Sequence, residues 1–347
     1  MIFIYGLGIA SKNYKNEVLE VYYPFIVLYP HPTIIKRILR KLHFNLKITS
    51  NSFNLYLSNT NDLLSLYLEY KDIGDVKTAK QIKSFFKTKA FVIFTFVLDD
   101  KNPLNIADSF LRLHTLSYRL CKPNSLNLFG IFSIIKTICW TNLGPIDSEE
   151  IFLTKNKSKK NNIKITILSI DKFPKMTEYV VPKNVRIAET SRIRLGAYLG
   201  EGTTVMHEGF CNFNAGTKGP CMIEGRISAG VFINQNSDLG GGSSILGTLS
   251  GGGKLLISLG KNCLIGANAG CGIPLGNGCI IEAGLYITSN SKISILNRNN
   301  TFIKIVKAKV LAYKNHLLFL RNSITGAIEC RINKKVIKLN TKLHKTN

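Results

Sequence analysis

This sequence is poor in acidic residues. Asp and Glu number 21 against 46 Lys and Arg, which leaves a formal net charge of +25 at pH 7. Such a balance invites a nucleic-acid reading, in which cations neutralise phosphates. The lysines are nevertheless spread along the whole length beside many Ile and Asn, a pattern that compositional bias explains, so no nucleic-acid partner is expected. The charge still suits a small anionic substrate. No uninterrupted apolar run reaches the roughly 18 residues of a membrane span, since Phe91–Leu98 is only eight long, and no membrane partner is expected. The opening MIFIYGLGIA has no basic segment before its apolar residues, so no secretory signal is read and a cytoplasmic location is expected. None of the eight cysteines forms a CxxC pair, and two of them stand at repeat positions that face inward. They read as small apolar residues in a reducing compartment.

What the sequence does contain is a period of six. Ile187, Ile193, Leu199, Val205 and Cys211 stand six apart; the count resumes at Ile227, Ile233, Leu239 and Ile245, and again at Ile257, Cys263, Ala269, Leu275, Ile281, Ile287 and Ile293. Small residues follow many of the first two sets by four (Ala197, Thr203, Gly209, Ala215, Ser237, Ser243). This period fits neither a helix of 3.6 residues per turn nor a hairpin of alternating strands. It fits a parallel β-coil in which each hexapeptide makes one short face and three faces make one turn. The fold expected is mainly β, with a hexapeptide-repeat coil over 179–298, an α/β domain over 1–178, and a strand segment with a basic tail over 299–347.

In the first domain, Leu19–Leu28 is β-prone but carries Pro24, which assigns it to an edge strand or a turn. Asp75 is a helix cap for the stripe Val76, Ala79, Ile82 and Phe86, and Phe91–Leu98 is a buried strand. Asn102-Pro103 is the start expected for a second helix with the stripe Ile106, Phe110, Leu113, Leu116 and Leu120. His114 beside that stripe is expected to be structural, and the basic run 154–163 to be a solvated loop.

Two segments break the count and are expected to project as loops, 212–221 and the Gly-rich 246–254. Met222-Ile-Glu-Gly-Arg-Ile227 follows the first, with Glu224 and Arg226 two apart and so free to face one way on a strand, either as an ion pair or as a ligand pair. Gly253-Lys254 is followed by Leu, which excludes a phosphate-binding Walker loop. With His207 as the coil's single histidine, a three-His zinc site is excluded too.

Several stretches carry a wider resemblance. VRIAETSRIRLGAYLGEGTTVMHEGFCNFNAGTKGPCMIEGRISAGV, SDLGGGSSILGTLSGGGK and IEAGLYIT in the coil, with LEVYYP, DSFLRLHTLSYRLCKPNSLNLFGIF, WTNLGPID, DKFPKMTEYVVP and LLFLRNSITGAIE outside it, closely resemble the tetrahydrodipicolinate N-succinyltransferases, in the longer form of pseudomonads and actinobacteria. The resemblance implies a left-handed parallel β-helix, a homotrimer with active sites between subunits, and succinyl transfer from the cosubstrate succinyl-CoA to ring-opened tetrahydrodipicolinate, on the route to diaminopimelate and lysine. It implies that Glu224 is catalytic, as an acyl-accepting nucleophile or as a general base, and that Gly247 offers its N–H to the thioester oxyanion. Arg226, Gly241, Ser244, Ala267, Glu282, Ala283, Lys307, Arg321, Asn322 and Ser323 match ligand-contacting positions. A magnesium site in relatives uses an Asp and a Glu; Glu208 fits the Glu, but Ser191 stands where Asp is expected. Leu320 replaces a usual Arg, and about five extra residues lie near Asn297–Thr301. Two other readings of the coil are an acetyl-CoA-dependent sibling and a non-catalytic basic scaffold for nucleic acid or protein.

Overall fold

The first apolar stretch becomes strand β1 (Ile4–Lys12), followed by β2 (Val18–Leu28), β3 (Ser52–Leu57) and β4 (Phe91–Val97) in an antiparallel sheet ordered β2-β1-β4-β3. The computed structural model describes residues 3–44, 51–57, 60–87, 91–247 and 256–333. It divides into two units, Met1–Thr115 with Leu126–Pro174, and Leu116–Ser125 with Lys175–Asn347.

In the first unit, β2 takes the sheet edge, where Pro24 costs no ladder hydrogen bond. Helices α1 (Pro32–Lys41), α2 (Thr60–Asp72) and α3 (Val76–Ser84) contribute Ile38, Leu39, Leu66 and Ile82 to a core shared with Tyr5, Leu7, Phe94 and Phe96 of the sheet. Asp75 caps α3 through Thr78 N–H at 3.0 Å. The sheet's other face meets α4 (Ile106–Ser117): a Cβ on Gly6 would lie 2.5 Å from Leu111 Cδ1, so glycine permits the approach. This helix starts later than Asn102-Pro103 predicts, because Asn105 caps it by accepting from Asp108 N–H at 3.0 Å; Leu120 falls beyond its end and is exposed. His114 is fully buried, donating from Nδ1 to the Phe110 carbonyl (2.8 Å) and accepting Tyr23 N–H at Nε2 (3.3 Å). It is structural. The unit also holds the antiparallel sheet β6-β5-β7, of β5 (Ile138–Thr141), β6 (Gly144–Asp147) and β7 (Ile167–Asp171). The run expected as a loop at 154–163 lies largely in α5 (Ile151–Lys160). That helix buries no residue, which is why no apolar period marks it, and Lys157, Lys159 and Lys160 complement its C-terminal dipole.

The second unit is a parallel β-coil. Three stacks of two- and three-residue strands run along it, pairing parallel in register. The first stack passes through Arg186–Ile187, Thr203–Val205, Cys221–Ile223, Ser237–Leu239, Leu264–Ile265 and Ile280–Ile281. The second takes Phe210–Cys211, Arg226–Ile227, Ser244–Ile245, Gly270–Cys271 and Tyr286–Ile287; the third takes Tyr198–Leu199, Gly216–Thr217, Phe232–Ile233 and Ser258–Leu259. The last residue of each of these strands points inward and is stacked on its counterparts, all but Ile187 fully buried.

Segment 212–221 is not an inserted loop. It carries Gly216–Thr217 and enters Cys221–Ile223, both within the stacks. The inward residue there is Thr217, whose polarity hides the period; its hydroxyl is satisfied by Thr203 Oγ1 at 2.7 Å, and Thr203 donates to the Gly219 carbonyl at 2.8 Å. The irregularity lies instead in the corner Glu224-Gly225, where inward residues Ile223 and Ile227 stand four apart rather than six. A second short corner separates Cys271 from Leu275. Ile257, Cys263 and Ala269 face inward from positions two residues before the strand aliphatics Leu259, Ile265 and Cys271, so the third run of the period begins out of phase with the strands. A true insertion separates Ile245 from Leu259; of 246–254, Leu246 and Gly247 belong to the described residues and 248–254 lie outside them. Corners are turned by Asn as well as Gly, with φ of 53–61° at Asn214, Asn236, Asn262 and Asn268.

After Tyr286–Ile287 the chain leaves the spiral. Lys292–Leu296 and Phe302–Lys307 form an antiparallel hairpin, Leu317–Arg321 stacks parallel on Ile280–Ile281, and Ile328–Ile332 joins the two by pairing antiparallel with Leu317–Arg321 and parallel with Lys292–Leu296. The basic tail 334–347 lies outside the described residues.

Candidate active site

One corner of the coil, between the first and second stacks, collects most of the residues singled out in the sequence. Down this corner run Glu208, Glu224, Gly241, Ala267, Glu282 with Ala283, and Arg321. Backbone hydrogen bonds tie successive turns: Gly242 N–H to Glu224 O (3.3 Å), Asn268 N–H to Gly241 O (2.9 Å) and Gly284 N–H to Ala267 O (2.8 Å).

Glu224 sits on the shortened corner. Gly225 beside it is packed against Ser243, whose carbonyl would lie 2.6 Å from any added Cβ. Beneath lies the corner Gly240-Gly241-Gly242, where Glu224 Oε2 is 3.6 Å from the position a Cβ on Gly241 would take. The carboxylate therefore rests on a platform without side chains. It has no hydrogen-bond or ion-pair partner among the described residues. Arg226 does not pair with it; its guanidinium lies 5.5 Å from the Phe210 ring centroid in the same stack, with Arg194 at 6.0 Å from that ring. Ser244 is in register with Arg226.

Other predicted residues have structural partners. Glu282 Oε2 accepts the Arg321 N–H at 2.7 Å, anchoring the end of Leu317–Arg321 to the corner. Asn322 shapes the following turn: its Oδ1 accepts the N–H groups of Ile324 and Thr325 (3.0 Å each), and its Nδ2 donates to Glu329 at 2.7 Å. Ser323 and Lys307 are exposed, Lys307 at the end of the hairpin. Leu320 stands opposite Glu329 in the ladder. Gly247 and Glu224 lie at opposite ends of the second stack, Glu224 before Arg226–Ile227 and the residues Gly247 packs on after it. Gly247 lies against Ala229, whose carbonyl would be 3.0 Å from a Cβ there.

Burial pushes the Cys271 and Cys221 thiols up to about 12, away from thiolate character. Glu208, the metal ligand expected from the resemblance, has a guanidinium beside its backbone. Arg192 donates from Nη2 to the Glu208 carbonyl (3.0 Å) and from Nε to the Gly209 carbonyl (3.2 Å), which places a cation at that corner. Ser191 gives its N–H to Glu189 at 2.9 Å, and the hydrogen bonds from Ser191 hold the Glu189 carboxyl below its ordinary range. Among the described residues no three His, Cys, Asp or Glu side chains converge.

The corner can be set beside known proteins. A family model described as the hexapeptide repeat of succinyl-transferase matches 256–289, and one described as the middle of tetrahydrodipicolinate N-succinyltransferase matches 136–175. A 2,3,4,5-tetrahydropyridine-2,6-dicarboxylate N-succinyltransferase of Pseudomonas aeruginosa is 46% identical over 349 residues, covering 100% of this chain and 99% of the relative. Its counterpart from Vibrio cholerae is 42% identical, covering 99% of each. The chain belongs to the tetrahydrodipicolinate N-succinyltransferase family. A crystal structure of a putative N-succinyltransferase from Campylobacter jejuni superimposes with a TM-score of 0.86 at 32% identity, over 97% of this chain and 94% of that one.

For a member of this N-succinyltransferase family, the structure adds positions that the sequence reading passed over. Phe210 carries the Arg226 guanidinium, and Ser243 is packed beneath Gly225 with its hydroxyl buried and without a hydrogen bond. The signal for Ser243 was the four-residue spacing Ile223–Ile227, which forces a tight corner, whereas Phe210 is placed by its register with Arg226.

Proposed function

We propose that this chain transfers the succinyl group of succinyl-CoA to the nitrogen of ring-opened tetrahydrodipicolinate, giving N-succinyl-2-amino-6-oxopimelate in the cytoplasm. The full-length identity of 46% with the Pseudomonas aeruginosa enzyme carries this reading. The unpartnered Glu224 carboxylate, set on a glycine platform two residues from Arg226, supports it at the level of chemistry.

Glu224 acts on the thioester in one of two ways. As nucleophile it adds to the carbonyl, the C–S bond breaks, the thiolate leaves as CoA, and the amine then takes the acyl group from the anhydride and returns the carboxylate. As general base it removes the proton of the attacking amine, and the thiolate leaves as the amide forms. Arg226 pairs with a substrate carboxylate through its planar fork. Gly247 donates its N–H to the oxyanion, a contribution of about 10²–10³ in rate. Because Gly247 lies across the second stack from Glu224, we place the site between subunits of a homotrimer of left-handed β-helices, with Gly247 supplied by a neighbour. Residues 179–298 form the acyltransferase domain, flanked by an α/β domain over 1–178 and a C-terminal segment over 299–347. Lys307, Arg321 and Ser323 meet the CoA end, where Leu320 gives one cation fewer.

Thiol release from succinyl-CoA with acceptor present tests this, with acetyl-CoA as control and Glu224→Gln beside wild type. Release that requires the acceptor, prefers succinyl-CoA and collapses in the variant supports the activity and the residue together. A folded wild type that releases no thiol refutes the transferase reading. Preference for acetyl-CoA moves the chain to the sibling reaction.

A further inference from the structure

The hairpin of Lys292–Leu296 and Phe302–Lys307 turns through Asn297-Arg298-Asn299-Asn300-Thr301 and faces the returning strands Leu317–Arg321 and Ile328–Ile332. Between them lies a cavity of about 450 Å³. Its walls are apolar, with Ile295, Val306, Leu311 and Leu317 among them, and no acidic side chain lines it. Its charged groups are all cations: Arg298, Lys304, Lys314 and Arg331. None of these four makes an ion pair among the described residues.

A neighbouring cavity of about 400 Å³ shares Arg298 and Arg331 with the first and reaches Ile280 and Leu318 on the outer face of the coil. Register explains the arrangement. Leu318 is paired with Ile280 on one side and Arg331 on the other, so Arg331 ends an apolar row. The Arg331 Nη1 donates to Asn300 Oδ1 at 2.8 Å, holding the guanidinium against the hairpin turn while its other N–H groups stay available. Neither cavity includes Glu224, Gly241, Ala267, Glu282 or Lys307.

Apolar walls of this size with a few convergent polar groups are what a small-molecule site requires. Charge selects the occupant. Four cations without an ion-pair partner among the described residues favour an anion, and they repel the chain's own basic end, which begins Lys334-Lys335. We propose that this cavity binds an amphipathic organic anion, its carboxylate, sulfonate or phosphate between Arg298 and Arg331 and its apolar body against Val306 and Leu317. The site is separate from the acyl-transfer corner and does not depend on the function proposed for it.

The test is fluorescence titration of the full chain with 1-anilinonaphthalene-8-sulfonate, beside N-phenyl-1-naphthylamine, which has the same apolar body without the anion. Saturable binding of the sulfonate at one site per chain is expected, at least tenfold tighter than the neutral probe and displaced by decanoate. Arg298→Gln and Arg331→Gln should each weaken it tenfold or more while leaving the thermal midpoint and acyl transfer unchanged. Equal binding of the two probes, or variants that bind like wild type, would overturn the proposal. Displacement by CoA would assign the cavity to the acyl donor instead, and tighter binding after removal of 334–347 would assign it to the chain's own end. Either result refutes an independent anion site.

Discussion

Gly225→Ala is the substitution that most directly connects packing to chemistry in this molecule. The corner Glu224-Gly225 spans the distance between Ile223 and Ile227 with two residues fewer than the usual corner, so it is drawn close to the next turn. A Cβ at Gly225 overlaps Ser243 Oγ and comes to 2.6 Å from the Ser243 carbonyl oxygen. The hydroxyl can rotate away; the carbonyl cannot, because it accepts the Arg226 N–H at 2.7 Å. Opening that contact to an ordinary separation moves the corner by about 0.8 Å or more. Overpacking of this kind costs about 1–3 kcal/mol, and at about 2–4 °C per kcal/mol the thermal midpoint falls by several degrees. Glu224 and Arg226 flank the displaced residue, and a misplacement approaching 1 Å costs up to about 10²-fold in rate. We expect kcat in the thiol-release assay to fall about tenfold or more, with the protein still folded. Ser243→Ala removes a buried hydroxyl that has no hydrogen bond, so alone it is neutral or slightly stabilising. In the double variant it restores part of the lost stability, since the carbonyl contact persists. A Gly225→Ala protein with wild-type midpoint and wild-type kcat/KM would refute the reasoning.

Three further outcomes follow from buried polar groups. Burial lowers the His114 pKa from its ordinary 6.5 to about 4, so the folded state binds fewer protons than the unfolded chain between those values. Stability is full above pH 6.5 and is lost as pH falls toward 4, by about 3 kcal/mol in total; melting from pH 7.5 to 4.5 should show a steeper decline in wild type than in His114→Gln, and parallel curves would contradict it. Arg112 is fully buried, bonded to Asp108 (2.7 Å), Asp100 (2.6 Å) and the Asn127 carbonyl (2.9 Å). Arg112→Met leaves Asp108 buried without its cation and should cost about 3–5 kcal/mol in denaturant unfolding; a cost below 1 kcal/mol would show that the pair contributes little. Thr217→Val keeps the inward volume, and Thr203 retains its bond to the Gly219 carbonyl. It should leave stability within about 1 kcal/mol of wild type, whereas a large loss would show that the hydroxyl pair is required.

The family is legible in the sequence because its signature is spread over the chain and does not rest on the period alone. The coil is legible because its inward aliphatics repeat at six. Where the reading errs, the physical reason is specific. Thr217 is an inward residue satisfied by another buried hydroxyl, so hydropathy removes it from the pattern and a stretch of regular coil looks like a loop. Ile257, Cys263 and Ala269 are inward but belong to corners, because each turn buries residues at two phases and only pairing tells them apart. The helix Ile151–Lys160 has no buried face, so its lysines carry no period. Asn105 displaces Asn102 as cap because the helix begins where Asp108 and Arg112 can be buried together, a tertiary constraint invisible locally.

The shortened corner also bears on why the proposed chemistry would fall at Glu224 and Arg226. Where inward residues stand six apart, as at Ile281 and Ile287, the corner carboxylate of Glu282 reaches the neighbouring strand and accepts the Arg321 N–H. At Glu224 the missing residues pull the backbone inward, Gly225 fills the space that remains, and the turn below presents only glycines. The Glu224 carboxylate has no hydrogen-bond or ion-pair partner among the described residues, which in the proposed reaction would leave its capacity for a substrate. Arg226 is then presented from the start of the adjoining strand, two residues on, and is steadied by Phe210 rather than neutralised by the carboxylate. An ion pair between Glu224 and Arg226 would engage both groups that the proposed reaction needs free. The deletion in the repeat keeps them apart.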